Sequence, residues 1–459
     1  MESNVQETRR ANLIPQNHGL PAEIWCHIFR FCLTDGYAEP SSKVAPLLVA
    51  QVCSYWREVA LSTSSLWTSI RICVQHGTWM DSGDAVSQLV DMWFSRSGSL
   101  PLSISFESFT WAPLAAFINC LSAYAHRWQK VSLKMPFASL YDLRDLDALY
   151  CPVLESVAFE LTLSALVDEL DEDHYDVRLF KHVPLLRQVS LFSRFHPVNI
   201  YAFNIPFRQL NLLSSNASLS TDECLNIFRQ SPNLVRCKLE GIFLPSNAPP
   251  GQQPPLVTAP LQLPCLRYLS LVTDRDVAAL LGCIELPNLS ELDIRYVDTR
   301  HSSHEWSSPK FKQFLRGITS LQKLTLDSLP VQNELVEYVR LTPSLVRLDI
   351  TDTSNQFLTD QFFYALTIHP LYSPSRVLVP NLQELRIAGN QSFSSSALAV
   401  AVRSRCHSDD NSRMRFPQFE SPPTLLRRLE LDAYRQSDPD PASALTMLNN
   451  KDNKFELIP

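Results

Sequence analysis

Two stretches of helical periodicity lie between residues 20 and 67. In the first, Ile24, Ile28 and Phe29 recur at the spacing of one helix face. Pro21 suits the first turn of that helix, because its missing N–H would have no intrahelical partner there. The second stretch places six residues on one face: Val49, Val52, Cys53, Trp56, Val59 and Ala60. Such short helices cannot bury this much apolar surface among themselves, so the pattern predicts that they pack against the rest of the chain, a partner, or both.

One phrase, Pro-x-Leu-x-x-Leu-x-Leu, recurs from about residue 128 onward, with Val or Ile replacing some leucines. Its clearest copies begin at Pro152, Pro184, Pro232, Pro264, Pro287, Pro343 and Pro380. The Leu-x-Leu alternation is typical of a strand with one buried face, and most intervals fit or slightly exceed the ~20–29 residues of leucine-rich repeats. Helix-like segments separate the copies, with Asp222 and Thr359 as expected caps. The pattern predicts a solenoid; the alternative is a mixed α/β domain with irregularly spaced strands.

Breaks in these patterns set the predicted domain boundaries. A helix over 86–94 and an alternating strand over 101–106 connect the helical region to the repeats. Two segments rich in proline or polar residues interrupt the repeat and are predicted to be loop insertions. The predicted organisation is a disordered tail at 1–16, a helical domain at 17–75, a linker and solenoid cap at 76–127, repeats at 128–435 with loops at 245–263 and 403–423, and a tail at 436–459.

The opening Leu20-Pro21-Ala22-Glu23-Ile24, the Ile28-Phe29 pair, the helix Val52–Ala60 and the following Leu66-Trp67 resemble the F-box. The chain looks most like the F-box-like proteins, found in many fungi, in which leucine-rich repeats follow the helical domain. The resemblance implies docking on the Skp adaptor of a cullin-RING ubiquitin ligase. The residues it implies for adaptor binding are Leu20, Pro21, Ile24, Ile28, Val52 and Trp56.

The predicted fold class is α/β: a small α-helical module, followed by an irregular leucine-rich-repeat solenoid. In this fold the parallel sheet lies on the concave face and the helices lie on the convex face. The N-terminal helices are expected to cover one end of the solenoid, because a repeat array needs its terminal repeat capped.

Composition excludes several classes of function. A hydrophobic content of 45% argues against wholesale disorder, and a net charge of −7 argues against a dedicated nucleic-acid binder. The sequence shows neither a signal peptide nor a run of about 18 apolar residues, so we expect no membrane partner. Eleven cysteines without a pairing pattern indicate a reducing compartment, the cytoplasm or nucleus. Glycine is scarce, and no phosphate-binding loop or nucleophile elbow occurs.

No residue cluster stands out as a catalytic or metal site. The segment 301–305 contains two histidines and a glutamate, but its surroundings favour a solvated turn, and the acidic run 168–174 lacks the ligand spacing of a calcium loop. We therefore predict no enzymatic activity, no cofactor and no metal. Charged residues on the predicted strands balance in sign and are expected to pair across neighbouring strands. Those predicted to bind a target are Lys238, Asp293, Arg295, Asp327, Asp349, Arg386 and Asp432.

The sequence thus predicts a substrate-recognition subunit of an SCF-type ubiquitin ligase. The expected partners are the Skp adaptor, through it the cullin and a RING protein, and an unidentified target protein. The alternative is a leucine-rich-repeat scaffold that binds proteins and whose N-terminal helices only cap the solenoid.

Overall fold

The structure, a computed structural model, describes residues 20–33, 37–74, 83–108, 119–140, 150–162, 182–194, 199–242, 260–274, 276–297, 306–331, 334–352, 358–369, 377–390, 393–406, 423–434 and 456–458. The chain divides into two compact units. The first comprises Met1–His196 with Ile200–Ile205, and the second comprises Pro197–Asn199 with Pro206–Pro459.

The first unit combines a helical module with a parallel sheet. Its described helices are α1 (Ala22–Phe31), α2 (Val49–Val52), α3 (Ser54–Ser62) and α4 (Gly83–Arg96). Its strands are β1 (Ser69–Val74), β2 (Leu102–Ser108), β3 (Trp128–Pro136), β4 (Ser156–Thr162) and β5 (Gln188–Ser193), paired in that order and all parallel. Buried and partly exposed residues alternate along β2 and β4, so one face of the sheet contributes to the core.

Trp67 joins the helical module to this sheet. Its side chain is fully buried and donates a hydrogen bond from Nε1 to the Ala60 carbonyl of α3 at 2.9 Å. Its ring packs edge-on against Trp93 of α4, with 4.7 Å between ring centroids. Trp93 in turn donates from Nε1 to the carbonyl of Ser69 at the start of β1, at 3.0 Å. The two indoles therefore fix α3, β1 and α4 to one another.

β1 is an element that the sequence analysis missed, because residues up to 75 were assigned to a helical domain. Residues Ile70, Ile72 and Val74 alternate with more polar residues and are all fully buried. The strand pairs in parallel with β2, so the last part of the predicted helical domain belongs to the sheet. The predicted helix at 86–94 and strand at 101–106 are confirmed as parts of α4 and β2.

The second unit repeats a strand and, in most repeats, a helix. Its main parallel strands are β6 (Leu212–Ser215), β7 (Arg236–Ile242), β9 (Tyr268–Thr273), β11 (Glu291–Tyr296), β12 (Lys323–Asp327), β13 (Arg347–Asp352), β14 (Glu384–Asn390), β15 (Arg428–Tyr434) and β16 (Glu456–Ile458). A separate pair is formed by β8 (Leu261–Gln262) and β10 (Ile284–Glu285). The helices are α5 (Thr221–Gln230), α6 (Ala278–Leu281), α7 (Ser308–Arg316), α8 (Leu335–Arg340), α9 (Asp360–Leu366) and α10 (Ser395–Cys406).

The recurring phrase explains the register of these strands. Its second apolar position pairs from strand to strand along a single row, and every member of the row is at most 1% exposed. The row runs through Cys237, Leu269, Leu292, Leu324, Leu348, Leu385 and Leu429. A one-residue slip would turn this row to the solvent, so burial fixes the register. The predicted fold class, a helical module followed by a long parallel sheet with intervening helices, is confirmed.

Several predicted boundaries differ from the structure. The end of the predicted loop 245–263 forms β8, α10 continues to Cys406 inside the predicted loop 403–423, and β16 lies in the predicted tail 436–459. The predicted tail at 1–16 and most of both loops lie outside the described residues.

Helix α5 is capped by Ser220 rather than Asp222, through a reciprocal pair of hydrogen bonds with Glu223. None of the helices in the described ranges has both the length and the apolar character required to span a bilayer.

Candidate functional site

Helix α1 begins at Ala22, directly after Pro21, whose φ of −55° matches the first turn of a helix. Glu23 lies in the first turn and Arg30 in the last, so each charge has the sign that complements the helix dipole at its end. One side of the helix is buried through Phe29, which has no exposed surface.

Three aromatic rings hold α1 against α3. Trp56 of α3 lies 4.6 Å from Trp25 and 5.1 Å from Phe29 between ring centroids, and Trp25 and Phe29 are 5.9 Å apart. Cys53 caps α3, with its Sγ accepting a hydrogen bond from the Trp56 amide at 3.4 Å. Trp56, which was predicted to contact the adaptor, is therefore half-buried inside the module and positions α1 and α3.

The other predicted adaptor-binding residues lie on the surface. Pro21 is exposed, and the exposed fractions of the remaining side chains are 41% for Leu20, 43% for Ile24, 37% for Ile28 and 58% for Val52. Isolated exposed apolar residues are ordinary, but several large ones on a few short helices mark a candidate binding surface. We call the exposed apolar side chains of α1 and α2, together with Leu20, the apolar docking surface.

The sequence analysis missed three further exposed apolar residues of the module: Phe31 at the end of α1, Leu48 immediately before α2, and Leu61 in α3. The signal for Phe31 was present, since it follows Ile28 by three residues and Ile24 by seven, which places all three on one helix face. The sequence analysis instead grouped Phe29 with Ile24 and Ile28 on one apolar face. The structure shows that Phe29 belongs to the opposite, buried face of α1.

In the second unit, the predicted target-binding residues are engaged with one another or with their neighbours. Asp293 is almost buried and accepts hydrogen bonds from Ser270 Oγ at 3.2 Å and from Arg295 Nε and Nη2, each at 3.1 Å. The hydrogen bond with Asp293 raises the pKa of Arg295. Asp327 accepts a hydrogen bond from the Ser328 hydroxyl at 2.8 Å.

The pairing continues across β13, β14 and β15. Asp349, also nearly buried, accepts from Arg347 Nε at 3.0 Å, and Arg347 Nη1 donates to Glu384 of the next strand at 2.9 Å. Arg386 of β14 lies 3.1 Å from a carboxylate oxygen of Glu430 and 3.5 Å from one of Asp432 on β15.

Lys238 of β7 is engaged within its own strand, because it pairs with Glu240 at 2.5 Å. The structure thus shows the expected cross-strand pairing of charged residues, with additional pairs inside single strands.

The buried thiols of the described residues are suited to packing rather than chemistry. Burial raises the pKa of Cys151 and Cys224 to about 12 and also raises the pKa of the fully buried Cys237, so the reactive thiolate is disfavoured. Within the described ranges, no group of His, Cys, Asp and Glu side chains could hold a metal ion. The histidine segment 301–305 and the acidic run 168–174 lie outside the described residues.

Comparison with known protein families gives a match for the helical module. Residues 18–73 match the family model described as F-box-like, close to the predicted span of 17–75. No curated protein matches the chain. Among solved structures, the crystal structure of a protein from Bacteroides fragilis is similar over 60% of this chain and 72% of its own, at 15% identity and a TM-score of 0.35. At that TM-score the likeness carries no argument. The supported conclusion is an F-box-like domain, whose members generally bind Skp-type adaptors.

Proposed function

We propose that this chain is the substrate-recognition subunit of an SCF-type cullin-RING ubiquitin ligase. The observation that carries the proposal is the apolar docking surface, which lies within the span of the F-box-like match. Covering apolar side chains contributes about 25 cal/mol per Å² removed from water, so an adaptor that fits this surface is held mainly by burial. The cullin and the RING protein join through the adaptor.

The second unit, which we interpret as irregular leucine-rich repeats, binds the target protein in this proposal. The candidate contacts that retain exposed surface are Lys238, Arg295, Asp327, Arg386 and Asp432. Asp293 and Asp349 are buried, so in this proposal they position the arginines beside them and do not touch the target. Many of these charges already have partners, so they orient a target through complementary polar contacts rather than attract a polyanion.

The chain acts without a catalytic site of its own in this proposal. Holding a target near the ubiquitin-conjugating enzyme makes the transfer effectively intramolecular, which is the contribution of a positioning subunit. We place the protein in the cytoplasm or nucleus, in keeping with its unpatterned cysteines.

Adaptor binding provides the direct test. In the full chain, Ile24→Asp with Ile28→Asp puts two carboxylates into the apolar docking surface, where binding would have to desolvate them. We expect the Kd for a purified Skp adaptor, measured by calorimetry, to rise at least about 100-fold, because burying an unpaired carboxylate costs more than the ~1–3 kcal/mol of an unpaired neutral polar group. Val297→Asp is the matched control, since Val297 is an exposed aliphatic residue of the second unit. Native chain that fails to bind the adaptor, or equal binding by the double variant, would contradict the proposal.

A second candidate function is a protein-binding scaffold in which the helical module only caps the repeats. One contact favours it: the Arg71 amide of β1 donates to the Ala38 carbonyl at 2.8 Å, so the segment before α2 covers part of that strand. Capping and docking use different residues. If the double aspartate variant binds the target as the native chain does, but neither chain binds an adaptor, the scaffold is the correct assignment.

A further inference from the structure

Phe31 has the largest exposed fraction among the large apolar side chains of the described residues, at 89%. It is the last residue of α1, and its backbone is held in the helix, because the next amide, that of Cys32, donates to the carbonyls of Ile28 and Phe29. The ring is therefore presented to solvent from an ordered turn. A ring this exposed buries little area and so adds little to the stability of the isolated chain, which makes it a candidate contact.

The position of Phe31 on α1 connects it to the apolar docking surface. Spacings of four and three residues place Ile24, Ile28 and Phe31 on one helix face, whereas Phe29 points into the module. The exposed Glu23 and Arg30 lie along one flank of this face. The arrangement, with apolar side chains in the centre and charges at the side, is typical of a helix that docks by its apolar face and leaves a polar rim.

We propose that Phe31 is the principal anchor by which this chain binds its Skp-type adaptor. The inference rests on the proposed function and adds a residue to it. Binding energy at protein interfaces concentrates in a few side chains that fill pockets in the partner, and aromatic residues are enriched among interface residues. A phenylalanine buries 150–250 Å² when covered, more than the isoleucines beside it, and it has few rotamers to immobilise. Ile24 and Ile28 then serve as surrounding contacts that exclude water.

The test compares four full-length proteins: the native chain, Phe31→Ala, Phe31→Leu and Tyr364→Ala. Tyr364, which is 58% exposed in the second unit, provides an aromatic control far along the sequence. We expect Phe31→Ala to weaken binding of a purified Skp adaptor about 30-fold, the scale of an interface hot spot. Phe31→Leu keeps part of the apolar area and should lose about threefold to tenfold. Tyr364→Ala should bind within twofold of the native chain, and all four proteins should melt at the same temperature.

The outcomes separate this inference from the proposed function. If the native chain does not bind the adaptor, both are overturned. If the native chain binds and Phe31→Ala binds within threefold of it, only the anchor assignment is wrong. If Phe31→Ala instead dissociates a dimer of the free chain and leaves adaptor binding unchanged, Phe31 faces a second copy and the proposal fails. It also fails if Leu13→Ala with Ile14→Ala strengthens adaptor binding and removes the Phe31 effect, because the N-terminal segment would then be the occupant.

Discussion

The helical module and the sheet of the second unit expose opposite kinds of side chain. The module leaves Ile24, Ile28, Phe31 and Val52 exposed to water. The sheet exposes charged residues that are already paired, such as Arg386 with Glu430 on the next strand. The difference indicates that the module gains free energy when it is covered, whereas the sheet face is largely satisfied in the free protein.

The two surfaces should therefore contribute differently to binding. An apolar helix face gains affinity in proportion to the area it buries and depends little on salt. A charge that is already paired must lose its water and form new ion pairs when a partner binds. It therefore adds selectivity more than affinity. Under the proposed function, tight docking therefore belongs to the module and discrimination among targets belongs to the sheet.

The largest expected loss of stability comes from a substitution in the buried interior of the helical module, not on its surface. Trp67→Ala removes a fully buried indole that packs against Trp93 and hydrogen-bonds to α3. We expect the free energy of unfolding to fall by about 3–5 kcal/mol, as for other buried tryptophan-to-alanine changes. Urea unfolding followed by circular dichroism measures the change.

The surface of the module provides the control for that change. Because Phe31 is almost fully exposed, Phe31→Ala should alter the free energy of unfolding by about 0.5 kcal/mol or less. If Trp67→Ala costs less than about 1 kcal/mol, or if Phe31→Ala costs as much as Trp67→Ala, the division between buried framework and exposed docking surface is wrong.

Much of this contrast was visible in the sequence, because periodicity reports burial. The Leu-x-Leu phrases predicted the buried row of the second unit. Ile24 and Ile28, which the resemblance implied for adaptor binding, are exposed on α1, and their contact with an adaptor stays a prediction. Trp56 was predicted to bind the adaptor, and Phe31 was not singled out. The structure places Trp56 half-buried against α1 and leaves Phe31 exposed. The sequence could not distinguish these two environments, because they depend on how α1 packs against α3. β1 was missed because its alternation directly follows helices and contains few residues.

A smaller effect distinguishes buried from exposed charges within the sheet. Asp349 is 8% exposed and accepts charged hydrogen bonds from Arg347, so Asp349→Ala should lower the free energy of unfolding by about 1.5–3 kcal/mol. The side chain of Arg386 is 41% exposed, and Arg386→Ala should cost only about 0–1 kcal/mol. Chemical denaturation of both variants gives the comparison. Equal losses in the free energy of unfolding would show that burial does not determine how much each ion pair contributes to stability.

The smallest expected effect is a change in the reactivity of one cysteine relative to another. Cys32, next to Phe31, and Cys265 in the second unit are both exposed, so both should react with iodoacetamide in the free chain. A bound Skp adaptor that covers the end of α1 should slow alkylation of Cys32 about tenfold or more, because a protected thiol reacts only in the free fraction. Cys265 should react at an unchanged rate. Mass spectrometry of the peptides resolves the two sites, and protection of Cys265 in place of Cys32 would move the docking surface out of the helical module.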